Sequence, residues 1–512
     1  MLTANSLILL FAACAQAQAI ASCGNSTSDN LTVKTRTGTF TGNLNDTYLD
    51  VRQFLYVPYA KPPIGKRRWA SPEAQDDSSE FIDSTVYGPS CPQYISAIPT
   101  VWALNITGNL IVNYGQSLLA GEAAVNSAED CLSMAIWTPA NATADSKLPV
   151  VHYLTGGGDV TGGVNIPTQL PPNWVHRSQS HIVVTTNYRV NIFGYTNARG
   201  LNGNTNFALQ DQRKAITLWG QSAGAGATDM YLFAWYHDPI IQASISSSGV
   251  TLGRSTNQDY TGTNFTFVAK SLGCDFEDAE LELACLRRVP MQRIENLVGQ
   301  YQDNSTLVNT SQPAIAFTRQ IDEKYVFSNY TERYLTGKVA QLPKIIGTTS
   351  REPSALVPYP INNYTEGPSE ARILTQTLNT VCAAYNTSVI RDQVNLPTYR
   401  YEWAGNFSNI AAPSWLGAYH YSDLYMLFGT YLIAPGAIPD LEVKTSEKMQ
   451  DYFLSFATDP DSIGDWPQYD TMQSTGGKLA RFGADDQVVQ FVDGNAVDGA
   501  CHIPGATYDT SP

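Results

Sequence analysis

The chain has 512 residues, of which 43% are hydrophobic and 11% aromatic, so it is long enough to bury a large core. Its formal net charge is −15 and its isoelectric point is near 4.8. Nucleic acid and anionic membranes are therefore not expected as partners, because both would repel an acidic surface.

The N-terminus predicts a secretory signal peptide over residues 1–19. An apolar run is followed by small residues that offer an Ala-x-Ala cleavage site after Ala19 or Ala21. No later stretch has the ~18 apolar residues that a membrane helix needs, so we expect no transmembrane segment in the mature chain, 20–512. We predict a secreted, extracellular protein.

Sequons agree with export. A dozen Asn-x-Ser/Thr sequons lack a central proline, and they predict N-linked glycans on a secreted chain. Their asparagines are Asn25, Asn30, Asn45, Asn105, Asn141, Asn264, Asn304, Asn309, Asn329, Asn363, Asn386 and Asn406.

The cysteines favour disulfides over a metal site. Of the eight cysteines, Cys14 lies within the predicted signal peptide, which leaves an odd number. No Cys-x-x-Cys or His-x-x-x-His spacing occurs, so no metal is expected. In an oxidising compartment disulfides are the expected use. Candidate pairs are Cys91 with Cys131, Cys274 with Cys285, and Cys382 with Cys501, which leaves Cys23 over.

Apolar, β-branched runs predict an α/β fold with a largely parallel sheet. Helical stretches such as 228–235 and 277–289 separate these runs, which is typical of a parallel sheet covered by helices. No repeat or linker divides the chain, so we predict a single domain over 20–512. The predicted strands are 148–154, 181–190, 215–220, 342–350 and 396–405.

Gly220, Ser222 and Gly224 form a Gly-x-Ser-x-Gly pattern between a predicted strand and a helix of small residues. In a nucleophile elbow the two glycines leave room for a strained turn, and the helix N-terminus faces the developing anion. The bare pattern occurs by chance in roughly one chain of this length in five. Its context makes Ser222 the candidate nucleophile.

The elbow needs a base further along the chain, after an acid. Elimination among the six histidines leaves His420 as the candidate, although a lone histidine is more often structural. The others precede Ser222, lie along the helix that it begins, or lie near the C-terminus: His152, His176, His181, His237 and His502.

Glu352 is the candidate acid, because it follows a predicted strand and lies between Ser222 and His420 in the chain. A carboxylate there can accept the imidazole N–H and stabilise the imidazolium. The alternative is a solvated loop glutamate beside Arg351.

A glycine run after the strand at 148–154 is the candidate oxyanion hole. Its backbone N–H groups are free of side chains, as stabilisation of a tetrahedral oxyanion requires. We assign Gly157 and Gly158, together with the amide of Ala223. A plain turn is the alternative, whereas a phosphate loop is disfavoured because no Gly-x-x-x-x-Gly-Lys follows.

Several stretches together resemble the type B carboxylesterase, cholinesterase and lipase family of α/β-hydrolases, and within it the secreted fungal members. They follow the family's order from about residue 35 to residue 470, and include "FLYVPYAKPPIGKRRWASPEA", "AEDCLSMAIWTPA", "LPVVHYLTGGG", "TLWGQSAGAG", "IIGTTSREPSAL" and "GAYHYSDLYMLFGTY". The resemblance implies an α/β-hydrolase fold and a serine esterase that acts on small-molecule or lipid-like esters without a cofactor. It implies the same triad, Ser222, Glu352 and His420.

The resemblance also implies cross-links. It implies disulfides between Cys91 and Cys131 and between Cys274 and Cys285. It also implies structural ion pairs of Arg68 with Glu129 and of Arg189 with Asp211. The loop between Cys91 and Cys131 corresponds to the family's lid, in which Trp102 would cover the active site. Burial of Trp102 and Leu104 as ordinary core is the alternative.

The chain departs from the family pattern at three places. Thr155 replaces the usual histidine or tyrosine before the glycines, and Pro353 replaces the usual glycine after the acid. Between Arg213 and Thr217, where the family has a long helix and a short loop, only three residues stand. We predict a truncated crossover helix before the nucleophile strand, with apolar sheet surface uncovered beside it.

We favour an error in the predicted coding sequence over a selected deletion, because the whole triad is retained. Sequencing of the transcript across this connection decides between the two. A catalytically silent binding protein and a lipase for longer acyl chains are the alternative functions.

Overall fold

The computed structural model describes residues 31–106, 108, 115–213, 217–252, 258–363 and 365–511. The predicted signal peptide, both of its cleavage sites, Cys23, Asn25 and Asn30 lie outside the described residues. So do residues 214–216, at the centre of the short connection.

Most strands belong to one sheet of eleven, and a three-stranded and a two-stranded sheet accompany it. In chain order the strands are β1 (Thr32–Thr35), β2 (Gly38–Thr41), β3 (Asn43–Leu44), β4 (Val51–Pro58), β5 (Phe81–Asp83), β6 (Tyr94–Ile95), β7 (Glu122–Ala123), β8 (Ser133–Pro139), β9 (Val150–Leu154), β10 (Ile182–Thr186), β11 (Thr217–Gln221), β12 (Ala243–Ser247), β13 (Lys344–Thr349), β14 (Thr398–Trp403), β15 (Lys478–Phe482) and β16 (Val489–Asp493).

The central sheet has the order β16-β15-β14-β13-β12-β11-β9-β10-β8-β4-β3. Its inner strands, from β10 through β9 and β11 to β15, pair in parallel, and antiparallel strands complete both edges. The carboxyl ends of parallel strands meet at one edge of a sheet, which is where ligands bind in such folds. All five predicted strands are present: four are two to five residues shorter than predicted, and β11, described from Thr217 onward, ends one residue beyond its predicted end.

Helices cover both faces of the central sheet. They are α1 (Val101–Leu104), α2 (Pro172–Ser178), α3 (Asn191–Gly194), α4 (Phe207–Asp211), α5 (Ala223–Ala234), α6 (Thr263–Ser271), α7 (Ala279–Leu286), α8 (Met291–Leu307), α9 (Tyr330–Leu335), α10 (Glu370–Gln393), α11 (Asp423–Phe428), α12 (Asp440–Thr458) and α13 (Gly494–Val497). None that the structure describes is long and apolar enough to cross a membrane.

The two faces of β11 pack into different cores. Trp219 stacks on Phe428 of α11 at 4.9 Å between ring centroids, whereas Leu218 lies in the cluster that α5 contributes to. The alternation of side chains along a strand produces this division. The helix α5 ends at Ala234, so the prediction that His237 lies along it was wrong.

In the described part of the connection from β10 to β11, which leaves out residues 214–216, the α-helices are short: α3 has 4 residues and α4 has 5. β11 nevertheless pairs in parallel with both β9 and β12, so the strand before Ser222 takes its place in the sheet. The expectation of uncovered apolar surface beside this strand was wrong, because every residue of β12 and all of β9 except Val150 are buried. Leu218 and Trp219 are both 0% exposed, because α5 and α11 cover them from opposite sides.

The predicted cross-links are present. Disulfides join Cys91 to Cys131, Cys274 to Cys285 and Cys382 to Cys501. Arg68 Nε donates to Glu129 Oε1 at 2.6 Å, and Arg189 Nη2 donates to Asp211 Oδ1 at 2.7 Å. The second pair ties the end of α4 to the segment after β10, which braces the short connection.

A buried carboxyl on α8 couples stability to pH. Glu295 is 0% exposed, and its Oε2 accepts a 3.3 Å hydrogen bond from Asn191 Nδ2. Burial raises the pKa of Glu295 from 4.5 to about 8. The unfolded chain therefore releases this proton at lower pH than the folded chain. The stability that the protonated form contributes is complete below pH 4.5 and is lost as the pH rises to about 8.

Replacing Glu295 with Gln is expected to raise the free energy of unfolding at pH 8 by on the order of a few kcal/mol and to change it little at pH 4.5. The amide keeps an oxygen for Asn191 and never ionises. Urea unfolding at the two pH values measures the difference. The Glu277→Gln variant, at an exposed position, is the control for the loss of one negative charge. Equal stabilisation by Glu295→Gln at both pH values would contradict the assignment.

Candidate active site

Ser222 stands on a tight turn between β11 and α5. Its φ of 57° and ψ of −121° are strained for a residue with a side chain, and such strain persists only where surroundings enforce it. Its N–H donates to Ser247 O at 2.9 Å, and Gly226 N–H donates to its carbonyl at 3.0 Å. A Cβ on Gly224 would come within 2.2 Å of Leu154 O, so the close packing of α5 against β9 requires glycine there.

His420 and Glu352 are in direct contact. Glu352 Oε2 accepts a 2.6 Å hydrogen bond from His420 Nδ1, and Glu352 Oε1 accepts one from Thr349 N at 2.9 Å. The backbones are joined too, since His420 N–H donates to Glu352 O at 3.2 Å. Glu352 is 2% exposed, which excludes the alternative of a solvated loop glutamate.

Sequence reasoning missed Gln221, the residue before the serine. Its Nε2 lies 3.2 Å from His420 Nε2, and its side chain is buried. With Nδ1–H given to Glu352, Nε2 of neutral imidazole is an acceptor, so the Gln221 amide can donate to it. Adjacency to Ser222 was the one available signal, and it does not reveal that the side chain of Gln221 turns toward His420.

Ser222, Glu352 and His420 line one cavity of about 320 Å³. Its walls come from the ends of β11 and β12, the segment after β13, and one face of α10. Ser248 and Leu356 also line it, and α10 contributes polar side chains. The cavity opens at the carboxyl edge of the parallel strands, where the topology places a ligand.

The glycine run after β9, the candidate oxyanion loop, has backbone conformations that residues with a side chain rarely adopt. Gly157 has φ 114° and Gly158 has φ 65°, values that favour glycine. Ala223 opens α5 directly after the serine. Within the described residues, no protein acceptor is bonded to the backbone N–H of Gly157, Gly158 or Ala223. The three residues line neither the cavity at Ser222 nor the one beside Trp102.

Trp102 packs against both neighbours of the histidine. Its ring meets Tyr419 at 6.0 Å and Tyr421 at 5.6 Å between centroids, both edge-to-face. Leu104 is 51% exposed, which excludes the alternative that it is core. Trp102 also lines a second cavity of about 160 Å³, which Thr161 closes on the side of the glycine run. The loop between Cys91 and Cys131 thus borders the site.

A buried polar network behind the pair also escaped sequence reasoning. Tyr401 Oη lies 2.8 Å from Asp423 Oδ2 and 2.8 Å from Ser247 Oγ. Burial and the nearby Glu352 raise the pKa of Asp423 to about 6. No sequence signal exists for this network, because its members lie on three separate elements. The network thus holds the carboxyl group of Asp423 close to that of Glu352.

No group of three or more potential ligands for a metal ion occurs among the described residues. The cavity instead has one imidazole and one carboxylate, together with hydroxyl and amide side chains. That set suits nucleophilic and acid–base chemistry at a carbonyl group.

A parallel sheet with a strained serine at the turn from strand to helix, and a His–Glu pair in the same cavity, defines an α/β-hydrolase. Residues 29–387 and 368–497 match the model of the Carboxylesterase family. The chain belongs to this family and is a carboxylic ester hydrolase.

Relatives with described activities match nearly the whole chain. The chain is 35% identical to a chlorogenic acid esterase from Aspergillus niger, over 96% of each chain. It is also 35% identical to secreted lipase 5 from Gibberella zeae, over 92% of this chain and 94% of the lipase. An acetylcholinesterase from Bungarus fasciatus is 25% identical, over 86% of this chain and 82% of its own.

Proposed function

We propose that the protein is a secreted serine esterase that cleaves carboxylic esters through Ser222, His420 and Glu352. The observation that carries the proposal is the 2.6 Å contact between His420 Nδ1 and Glu352 Oε2 in the cavity that Ser222 lines. A histidine held in this way keeps its Nε2 lone pair available as a base. The silent binding protein is disfavoured, because it has no need of an aligned His–Glu pair.

Acylation begins when His420 Nε2 takes the proton of the Ser222 hydroxyl. Ser222 Oγ attacks the ester carbonyl, and Glu352 stabilises the imidazolium that forms. Before this step Gln221 Nε2 lies within hydrogen-bonding distance of His420 Nε2. During the step the serine hydroxyl replaces the Gln221 amide as the hydrogen-bond donor to His420 Nε2. His420 then protonates the leaving alcohol, and the acyl group stays on Ser222.

The tetrahedral intermediate carries its negative charge on the former carbonyl oxygen. We assign the N–H groups of Gly157, Gly158 and Ala223 as its donors, since they have no protein acceptor among the described residues. Water, activated by His420, repeats the attack on the acyl-enzyme and releases the acid. No step needs a metal or an organic cofactor.

The two cavities support small-molecule esters as substrates. The cavity at the triad has a volume of about 320 Å³, and a separate, mostly apolar cavity beside Trp102 has a volume of about 160 Å³, sizes that suit a small-molecule ester. The two fungal relatives are named as an esterase and a lipase, so the choice of substrate class lies between short esters and lipids. We favour the esterase, because both cavities are small for a long acyl chain.

Secretion and glycosylation complete the proposal. Three disulfides and a relative named as secreted support an oxidising, extracellular location. None of the sequon asparagines within the described residues is buried, so each side chain is accessible to a glycan.

The test is turnover of nitrophenyl acetate, butyrate and palmitate by the purified chain, with emulsified triglyceride as a further substrate. We expect turnover of the short esters, complete loss after treatment with a fluorophosphonate, and no increase at the oil–water interface. An interfacial increase would favour the lipase. Binding of esters without turnover would favour the silent protein.

A further inference from the structure

Arg319 is a buried cation outside the predicted site. It lies between α8 and α9 and is 3% exposed. Its Nη2 donates to Asp159 Oδ1 at 2.6 Å and to the carbonyl oxygen of Ala223 at 2.6 Å. Tyr195 Oη also donates to Asp159 Oδ1, at 3.1 Å.

Both acceptors belong to the segments that carry the proposed oxyanion donors. Asp159 directly follows Gly158, and Ala223 directly follows Ser222. These segments follow different strands, β9 and β11, and meet only through the fold. One guanidinium therefore ties the glycine run to the first residue of α5.

Arg319 lines neither the cavity at Ser222 nor the cavity beside Trp102. It touches the carbonyl of Ala223 and the side chain after Gly158, not the N–H groups themselves. Arg319 can therefore affect the oxyanion only indirectly, by fixing the positions of Asp159 and Ala223. Removal of the guanidinium would also leave the Asp159 carboxylate buried without its cation.

We propose that Arg319, with Asp159, is a positioning residue that sets the spacing of the oxyanion donors of Gly157, Gly158 and Ala223. The proposal rests on the proposed serine esterase function. Stabilisation of an oxyanion depends on donors fixed in advance at the distance of the transition-state oxygen. Loosening of either segment should weaken the transition state more than the binding of the ester.

The chain offers a closely matched control. Arg400 is also fully buried, donates to the Asp498 carboxylate at 2.8 Å, and donates to the carbonyl of Ile346 at 3.0 Å. It contacts neither oxyanion segment. Arg319→Met and Arg400→Met thus each remove one buried guanidinium from a carboxylate and a backbone carbonyl.

The experiment uses the full purified chain as wild type, Arg319→Met, Arg319→Lys and Arg400→Met. Active sites are counted from the end-point of fluorophosphonate labelling, and kcat and KM for nitrophenyl butyrate are expressed per labelled site. Inhibition by an alkyl trifluoromethyl ketone reports the oxyanion hole, since its adduct with serine places an anion there. Urea midpoints report folding.

We expect Arg319→Met to lower kcat per site by about 10²–10³-fold, with KM little changed and with the ketone weakened in parallel. Arg319→Lys should recover part of the loss, because an ammonium can still donate to both acceptors. Arg400→Met should shift the urea midpoint but keep the wild-type kcat per site. If Arg319→Met yields no folded protein, Arg319→Lys and Asp159→Asn provide the same comparison.

Equal kcat per site in the Arg319 and Arg400 variants would overturn the proposal, as would a rise in KM alone. A failure of the esterase function itself would look different. In that case the wild-type chain would show no turnover and no labelling, before any arginine variant is compared.

Discussion

Replacing Ser222 with Ala is expected to lower kcat for nitrophenyl ester hydrolysis by about 10⁴–10⁶-fold. The variant has no nucleophile at the elbow, so no acyl-enzyme forms. The methyl group fits the place of the hydroxymethyl group, and the turn is enforced by Gly224 and the hydrogen bond to Ser247 O. We therefore expect the folded state to be retained, as circular dichroism and the urea midpoint will show.

Ser248→Ala is the matched control, since Ser248 lines the same cavity but does not stand on the nucleophile elbow. It should keep ester turnover, whereas the Ser222 variant should lose it. Retention of turnover by the Ser222 variant, with the Ser248 variant inactive, would move the nucleophile to the other serine. Retention by both would refute a serine mechanism in this cavity.

Replacing Glu352 with Gln is expected to lower kcat by about 10³–10⁴-fold while KM changes little. An amide N–H facing His420 Nδ1 would force the proton to Nε2, which then can no longer accept the proton of Ser222. The amide oxygen facing Nδ1 would keep the tautomer but not the negative charge that stabilises the imidazolium. Steady-state kinetics on nitrophenyl butyrate measure the change.

Glu370→Gln is the control for this prediction. Glu370 accepts a 2.8 Å hydrogen bond from Nη2 of Arg351, the residue before Glu352, yet its side chain is 62% exposed and lies outside the cavity. We expect wild-type kcat in this variant. A loss of similar size in both variants would show that the loop conformation, not the carboxylate of Glu352, determines the rate.

The local parts of the fold could be predicted from sequence. The five strand predictions depend on runs of β-branched and apolar residues, which few structures other than buried strands accommodate. The elbow was predictable because its glycines, its serine and its flanking elements are contiguous. Glu352 and His420 were predictable because chain order and a shortage of histidines left few choices, and the structure places them in contact.

The parts that depend on distant contacts could not be predicted. Arg319 lies in a segment without a motif, and its two acceptors are 160 and 96 residues away in the chain. Asp423 and Tyr401 become neighbours only when α11 packs over β14. For the same reason sequence alone overestimated the effect of the short connection, since the cover of Leu218 and Trp219 comes from α5 and α11 rather than from the missing helix.

The most direct test of the central claim is to locate the bond formed by a fluorophosphonate. The purified chain is labelled, digested and mapped by mass spectrometry, with heat-denatured protein as the control for nonspecific reaction. Attachment of one label, on Ser222 and only in the folded protein, is the predicted result. A folded protein that takes no label at Ser222, or that takes it at another serine, would contradict the account.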